Sequence, residues 1–351
     1  MIPVTVLTGY LGSGKTTLLA RLLKDPALGR TAVIINEFGA VGIDHDLVEA
    51  SEESFVELDT GCICCAVRGD LETTLADLVG RRARGLVPAF ERVIIETSGL
   101  ADPAPVLNAV MSEAGRGAGL VLGRVVTTVD AATGLASLDR EPQSVRQVAV
   151  ADRLVLTKVD LVGTPPPDLL ERIATLNRRA PLLTAVYGQT AAIDLLDGPS
   201  AAAGEMYGGV EAWLGADDPS GSRVPAGSNH RDTLRTGHHA RHGDDIQCIT
   251  LRRDDPLPAV ALTLLVEALA DHCAVGLLRL KGIVHVAESP ERPAVIHGVQ
   301  HVFHEPSWLE RWPSADRSTR LVLIGRGLSR LWLERLLDAL ATEVAEVAGA
   351  C

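Results

Sequence analysis

Short runs of β-branched and aliphatic residues recur through the first half of the chain, and the stretches between them space their apolar positions three and four apart. The runs Val4–Thr8, Thr31–Asn36, Arg92–Glu96, Arg124–Val129, Arg153–Thr157 and Leu182–Val186 predict strands. Thr17–Leu23, Asp70–Arg82, Pro103–Ser112, Ser144–Ala149 and Asp168–Asn177 predict helices. Strand and helix alternating in this way predict one α/β domain over residues 1–200, a doubly wound, mainly parallel sheet that takes its ligands at the carboxyl ends of the strands.

The pattern then decays. From about Gly198 to Asp245 the chain is rich in Gly, Ser, Pro, Asp and His, including His230, His238, His239 and His242, and residues 201–245 read as a flexible His-containing linker. Beyond it, strands at Ile246–Arg252, Leu277–Val286, Ala294–His301 and Leu321–Gly325, with helices at Pro258–Cys273 and Leu331–Val347, predict a second, smaller α+β domain over residues 246–351.

The first strand runs into Gly9-Tyr10-Leu11-Gly12-Ser13-Gly14-Lys15-Thr16, a complete GxxxxGK(S/T) phosphate loop between a strand and a helix. This makes the α/β domain a P-loop NTPase. Gly9, Gly12 and Gly14 let successive backbone N–H groups curl round a phosphate, with Ser13 and Thr17 completing the cradle. Lys15 reaches the β- and γ-oxygens, and the Thr16 hydroxyl ligates Mg²⁺. Glu96 closes an apolar strand three residues before Gly99, so its carboxylate can hold Mg²⁺ through water while the Gly99 N–H senses the γ-phosphate. Thr157-Lys158-Val159-Asp160 is a variant of the NKxD element: Asp160 offers two acceptors to the guanine N1–H and 2-amino group, and the Lys158 stem covers the base. Thr157 stands where asparagine is usual, which predicts a weaker stabilising contact at that point.

Formal net charge is −12, which argues against nucleic acid and membrane surfaces as partners. No apolar run approaches the roughly 18–20 residues of a membrane span, and no basic-plus-apolar leader precedes the first strand, so the expected location is the cytoplasm. Six cysteines are too sparse for a disulfide framework, and three crowd together as Cys62, Cys64 and Cys65. Soft thiolates favour Zn²⁺, Co²⁺ or Cu(I) over Mg²⁺, and two of the three are expected to ligate one ion, Cys64 and Cys65 slightly favoured. A redox role is the alternative, although the cluster does not stand at a helix start, the placement that lowers a catalytic thiol's pKa in a CxxC motif. His297, His301 and His304 form a second group, in which strand periodicity puts positions 297 and 301 on one face and 304 on the other, against a three-histidine site.

The phosphate loop, the segment Asn36–Asp44, the GCICC cluster followed by Ala66–Leu71, the Glu96–Gly99 turn and the Thr157–Asp160 element together resemble the CobW-type metallochaperone GTPases. The resemblance extends over nearly the whole chain, through Asp245-Ile246-Gln247 and Arg279-Leu280-Lys281-Gly282 of the C-terminal region. It implies GTP hydrolysis, with Mg²⁺, coupled to delivery of a transition metal, zinc or cobalt in different branches, to a client metalloprotein. It makes Glu37 a candidate further ligand, equally readable as a switch-loop carboxylate, and places Asp44 in a switch segment where it would orient water or Mg²⁺. Two rivals stand beside that reading. One is a metal-binding regulator or store in which GTP only sets conformation; the other is a P-loop kinase, which leaves Asp160 and the cysteines unexplained. A homo-oligomer is compatible with the metallochaperone reading.

Overall fold

The computed structural model describes residues 1–36, 56–57, 63–66, 70–188, 195–196, 246–273 and 276–349. The segment 197–245 with its four histidines, and Glu37, Asp44 and Cys62, lie outside the described residues.

The first domain runs β1 (Ile2–Gly9), α1 (Lys15–Leu22), β2 (Thr31–Asn36), β3 (Val56–Glu57), β4 (Ile63–Ala66), α2 (Leu71–Ala83), β5 (Arg92–Thr97), α3 (Ala104–Met111), α4 (Glu113–Gly117), β6 (Leu120–Asp130), α5 (Gly134–Arg140), α6 (Pro142–Ala149), β7 (Arg153–Thr157), α7 (Val159–Val162), α8 (Pro167–Leu176) and β8 (Leu182–Ala185). Its eight strands lie in the order β3-β4-β2-β5-β1-β6-β7-β8. All the pairings are parallel except that of the short β3 with β4. Every residue of β6 is buried, as expected of a strand covered on both faces, and such strands read as unbroken apolar runs. Alternate residues supply two cores. Val4, Val6, Ile34, Ile95 and Leu154 pack with α2, α3, α6 and α8 on one face, while Leu7, Val33, Ile94, Val126 and Val155 pack with α1 on the other.

The second domain comprises β9 (Ile246–Arg253), α9 (Ala259–Cys273), β10 (Leu277–Val284), β11 (Ala294–Val299), β12 (Val302–Phe303), β13 (Ser307–Trp308), β14 (Thr319–Arg326) and α10 (Arg330–Gly349). Its antiparallel sheet has the order β12-β11-β10-β14-β9, with β13 paired to β11. One face, with Ile249, Leu251, Leu280 and Leu323, packs on α9 and α10. The other, with Ile283, Val295, Val299, Val322 and Ile324, joins the core that contains α3 and α6 of the first domain. A single apolar cluster therefore crosses from one sheet system to the other.

A buried charge cluster lies in the same seam. Asp152, in the turn between α6 and β7, captures both backbone groups of Val125: its N–H donates to the Val125 carbonyl at 2.7 Å, and its Oδ2 accepts from the Val125 N–H at 2.8 Å. Across the seam, Arg279 of β10 reaches Asp152 Oδ2 at 3.3 Å and Lys281 pairs with the same carboxylate. Asp152, Arg279 and the nearby Arg124 are all at most 6% exposed. Burial alone would raise the Asp152 pKa, but the charges of Lys281 and then Arg279, with the Lys281 and Val125 hydrogen bonds, outweigh it and hold the carboxyl well below its ordinary range.

Removing one member of such a cluster leaves buried cations uncompensated, so Asp152→Asn should cost about 3–5 kcal/mol in urea unfolding near neutral pH. Because the folded-state pKa is depressed, the carboxylate's contribution is complete above the unfolded value of about 4 and is lost as pH falls below it. The stability gap between the two proteins should therefore narrow on acidification. An undiminished gap at about pH 2 would show that charge is not the source.

Candidate nucleotide and metal site

The phosphate loop closes where β1 ends between β5 and β6. Gly9, Gly12 and Gly14 have φ of 144°, 71° and 89°, conformations that a side chain disfavours. At Gly9 space forbids one as well, since a Cβ would lie 2.3 Å from Thr128 Oγ1 and 2.5 Å from the Thr128 carbonyl. The loop is fastened by hydroxyls from strand ends. Ser13 Oγ and Thr128 Oγ1 share a hydrogen bond of 2.7 Å, Thr97 Oγ1 donates to Thr8 Oγ1 at 2.8 Å, and Thr157 Oγ1 lies 2.7 Å from the Ser13 carbonyl and 3.2 Å from that of Val129. Thr157, where asparagine is usual, stands at the end of β7 and bonds directly to the backbone of the phosphate loop.

Lys15, the first residue of α1, is buried, and its Nζ donates to the Gly9 carbonyl at 2.9 Å. Thr16 Oγ1 donates to Glu96 Oε1 at 2.6 Å, which brings the two proposed Mg²⁺-handling groups together although 80 residues separate them. Glu96 is 5% exposed at the end of β5. A hard-oxygen pair of this kind beside a phosphate loop suits Mg²⁺. Gly99 follows in a turn pressed against the loop, where a Cβ would lie 2.8 Å from the Leu11 backbone. Thr17 is exposed on α1.

On the other side of the loop, Lys158 adopts φ of 55° and its Nζ donates to Asp130 Oδ2 at 2.7 Å, anchoring the side chain to the end of β6. Burial raises the Asp130 pKa, but the Lys158 bond and the Ala132 and Thr133 donors outweigh it and hold the carboxyl below its ordinary value. Asp160, in the first turn of α7, is exposed on the same edge. Asp130 escaped the sequence reading, and so did the roles of Thr8, Thr97 and Thr128. The only signal was a polar residue closing each apolar run.

Cys64 and Cys65 lie in β4, in register with Val33 and Ile34 of β2. Ile35, the next residue of β2, pairs with Glu96 of β5, so the backbone of the cysteine pair lies two strand spacings, about 10 Å, from that of Glu96. Among the described residues no group of three or more His, Cys, Asp or Glu could hold a metal ion. The histidines of the second domain group differently from the periodicity argument. Gln300, at φ of 53°, turns the chain between β11 and β12, so His304 donates its N–H to the His297 carbonyl at 3.0 Å and the two rings meet edge to face, centroids 4.6 Å apart. His301 is left exposed at the turn. Burial, then His304 and Arg279, push the His297 pKa well down.

A left-handed phosphate loop at the centre of a parallel sheet, with the Lys15, Thr16 and Glu96 constellation at its mouth, defines a P-loop nucleotide-binding domain, here joined to an antiparallel-sheet domain. The CobW/HypB/UreG nucleotide-binding domain matches residues 3–184, and the cobalamin synthesis protein cobW C-terminal domain matches residues 246–341. The chain belongs to the CobW family. It is 32% identical to the zinc chaperone YjiA of Escherichia coli K12 over 324 residues, covering 92% of this chain and 94% of that protein. It is 30% identical to the zinc chaperone CobW of a Sinorhizobium species over 361 residues, covering 92% of each. The crystal structure of Zn(II)-bound YjiA GTPase superposes with a TM-score of 0.66 at 28% identity, covering 97% of this chain and 98% of that one. Among the described residues no helix is long and apolar enough to cross a membrane.

Lys15 has no neighbouring lysine in the loop to replace it, so Lys15→Ala should abolish GTP turnover in a phosphate-release assay while backbone contacts retain weak nucleotide binding. A near-normal rate would remove this loop from the chemistry.

Proposed function

We propose that the chain is a cytoplasmic, Mg²⁺-dependent GTPase that carries a thiophilic metal, zinc before cobalt, on the Cys62, Cys64 and Cys65 cluster with Glu37 as a further ligand, and passes it to a client metalloprotein as GTP is hydrolysed. The observation that carries the nucleotide half is the Thr16–Glu96 contact of 2.6 Å beside Lys15. Those two oxygens would hold Mg²⁺, which when bound supplies positive charge against the β- and γ-phosphates. Lys15 adds a second positive charge there, Gly9, Gly12, Ser13, Gly14 and Thr17 cradle the phosphates, Gly99 reads the γ-phosphate, and Asp44 orients water or Mg²⁺. Lys158 and Asp160 read guanine, with Thr157 bracing the loop from β7. The metal half is supported by the cysteine cluster and by the zinc named in two full-length relatives and in a solved structure. Intrinsic turnover should be slow, as it is for switch GTPases that await a partner.

Base choice should rest on Asp160. GTP should displace a labelled guanine nucleotide far better than ATP does, and Asp160→Asn should weaken GTP and favour xanthosine triphosphate, whose 2-oxo group accepts where guanine donates. Equal displacement by ATP would reduce residues 157–160 to a strand end.

Metal and nucleotide should also be linked, because β4 lies in the same sheet as the Mg²⁺-handling strand. Competition with a chromophoric chelator should find Zn²⁺ held more tightly with GTP and Mg²⁺ than with GDP, by about 1–3 kcal/mol. Replacing Cys64 and Cys65 with serine should remove most of the Zn²⁺ affinity and leave GTP binding nearly intact. Identical Zn²⁺ affinity in both nucleotide states would instead describe a metal store.

A further inference from the structure

The turn that follows Glu96 is held by a helix whose role in the site nothing above assigns. Gln147, in α6, is fully buried, and its Nε2 donates to the carbonyls of Gly99 at 3.2 Å and Ala101 at 3.0 Å. Two carbonyls facing one carboxamide fix which end is nitrogen, because only the NH₂ can donate to both. The other end, Oε1, is buried and has no hydrogen-bond partner among the described residues, so there the two turn carbonyls set the orientation. The adjacent Arg146 donates from Nη1 to Asp102 Oδ2 at 2.8 Å, and Asp102 Oδ1 in turn accepts from the Ala104 N–H at the start of α3. Within the turn the Ala101 N–H donates to the Ser98 carbonyl. In a trans peptide the carbonyl and the following N–H point in opposite directions, so fixing the Ser98 carbonyl aims the Gly99 N–H outward from the turn.

We infer that Gln147 is a positioning residue for the phosphate-sensing turn: by holding the Gly99 and Ala101 carbonyls it presents the Gly99 N–H to the γ-phosphate of bound nucleotide. The inference rests on the reading of the chain as a GTPase. Gln147 touches no reacting atom; it acts through Gly99. Its own place is fixed by Thr127 Oγ1 of β6, which donates to the Gln147 carbonyl at 2.8 Å.

The test compares the affinity of a non-hydrolysable GTP analogue with that of GDP, both with Mg²⁺, in the unsubstituted chain, Gln147→Leu and Gln147→Glu. Gln147→Leu keeps the volume and removes the donor. It should lower the ratio of analogue to GDP affinity by about three- to tenfold with GDP affinity unchanged, since a neutral hydrogen bond is worth about that much. Gln147→Glu should show the same defect near neutral pH and regain the ratio as pH falls, because a protonated carboxyl donates and a carboxylate cannot. An unchanged ratio in Gln147→Leu, or no pH dependence beyond that of the unsubstituted chain in Gln147→Glu, overturns the assignment. If neither variant folds, hydrogen exchange on the unsubstituted chain decides: the Gly99 and Leu100 amides should exchange more slowly with the analogue than with GDP, and equal exchange overturns it. Failure of the unsubstituted chain to bind GTP at all would overturn the GTPase reading instead, and is seen before any variant is made.

Discussion

The phosphate loop depends on how closely it lies against the ends of its neighbouring strands. The backbone at Gly9 is so near Thr128 that a methyl group has no room, and the backbone of Leu11 stands in the same relation to Gly99. At that separation the side chains of Ser13 and Lys15 are buried, and an unmatched buried polar group costs about 1–3 kcal/mol. Hydroxyls answer this because one atom both donates and accepts. Thr8, Thr97, Thr128 and Thr157 therefore close four adjacent strands, and Ser13 joins the set from the loop itself. Lys15 and Thr16 are aimed by this packing as much as by the helix they begin. The bond from Thr157 ties the segment 157–160 to the phosphate loop, so the two share one support.

The second domain is held with similar firmness by different means. Period-2 alternation in β10 sends Leu280 to α9 and α10 and sends Arg279, Lys281 and Ile283 to the first domain. Ile283 extends the shared apolar cluster, whereas Arg279 and Lys281 enter a region where an uncompensated charge is costly. Asp152 meets them, already held by both backbone groups of Val125. Apolar contact supplies the affinity of the seam, and the carboxylate fixes its register, since a shift by one residue would leave two cations facing hydrocarbon.

The strands Thr31–Asn36 and Arg153–Thr157 and the phosphate loop were legible because their signals are local: unbroken β-branched runs, and glycines at fixed offsets before Lys15. α4, α5 and α7, of four to seven residues, were not legible, because so short an element carries too few apolar positions to show a period. β6 begins four residues before its expected start because Gly119 and Gly123 disguise a strand that is buried throughout. His297 and His304 were separated by applying strand parity across Gln300, where the chain reverses. The partners of Asp152 and Gln147 were invisible for a more general reason: each contact joins residues distant along the chain, 127 apart for Asp152 and Arg279, and 48 for Gln147 and Gly99.

Magnitudes decide which of these contacts can change during a nucleotide cycle. Coupling between two ligands is typically about 1–3 kcal/mol, so an element that switches must have alternatives within that range. Breaking the Asp152 cluster would cost about 3–5 kcal/mol, too much for nucleotide exchange to drive repeatedly. The bonds from Gln147 to the Gly99 and Ala101 carbonyls are neutral and worth about 0.5–1.5 kcal/mol each, and the buried Oε1 stands ready to accept from a turn N–H if the peptides rotate. The second domain should then move with α6 as one body, and the adjustable joint lies between α6 and the turn after Glu96. A change in the γ-phosphate at Gly99 would be felt first at Gln147 and Arg146, and only through them at the seam that α6 shares with β10.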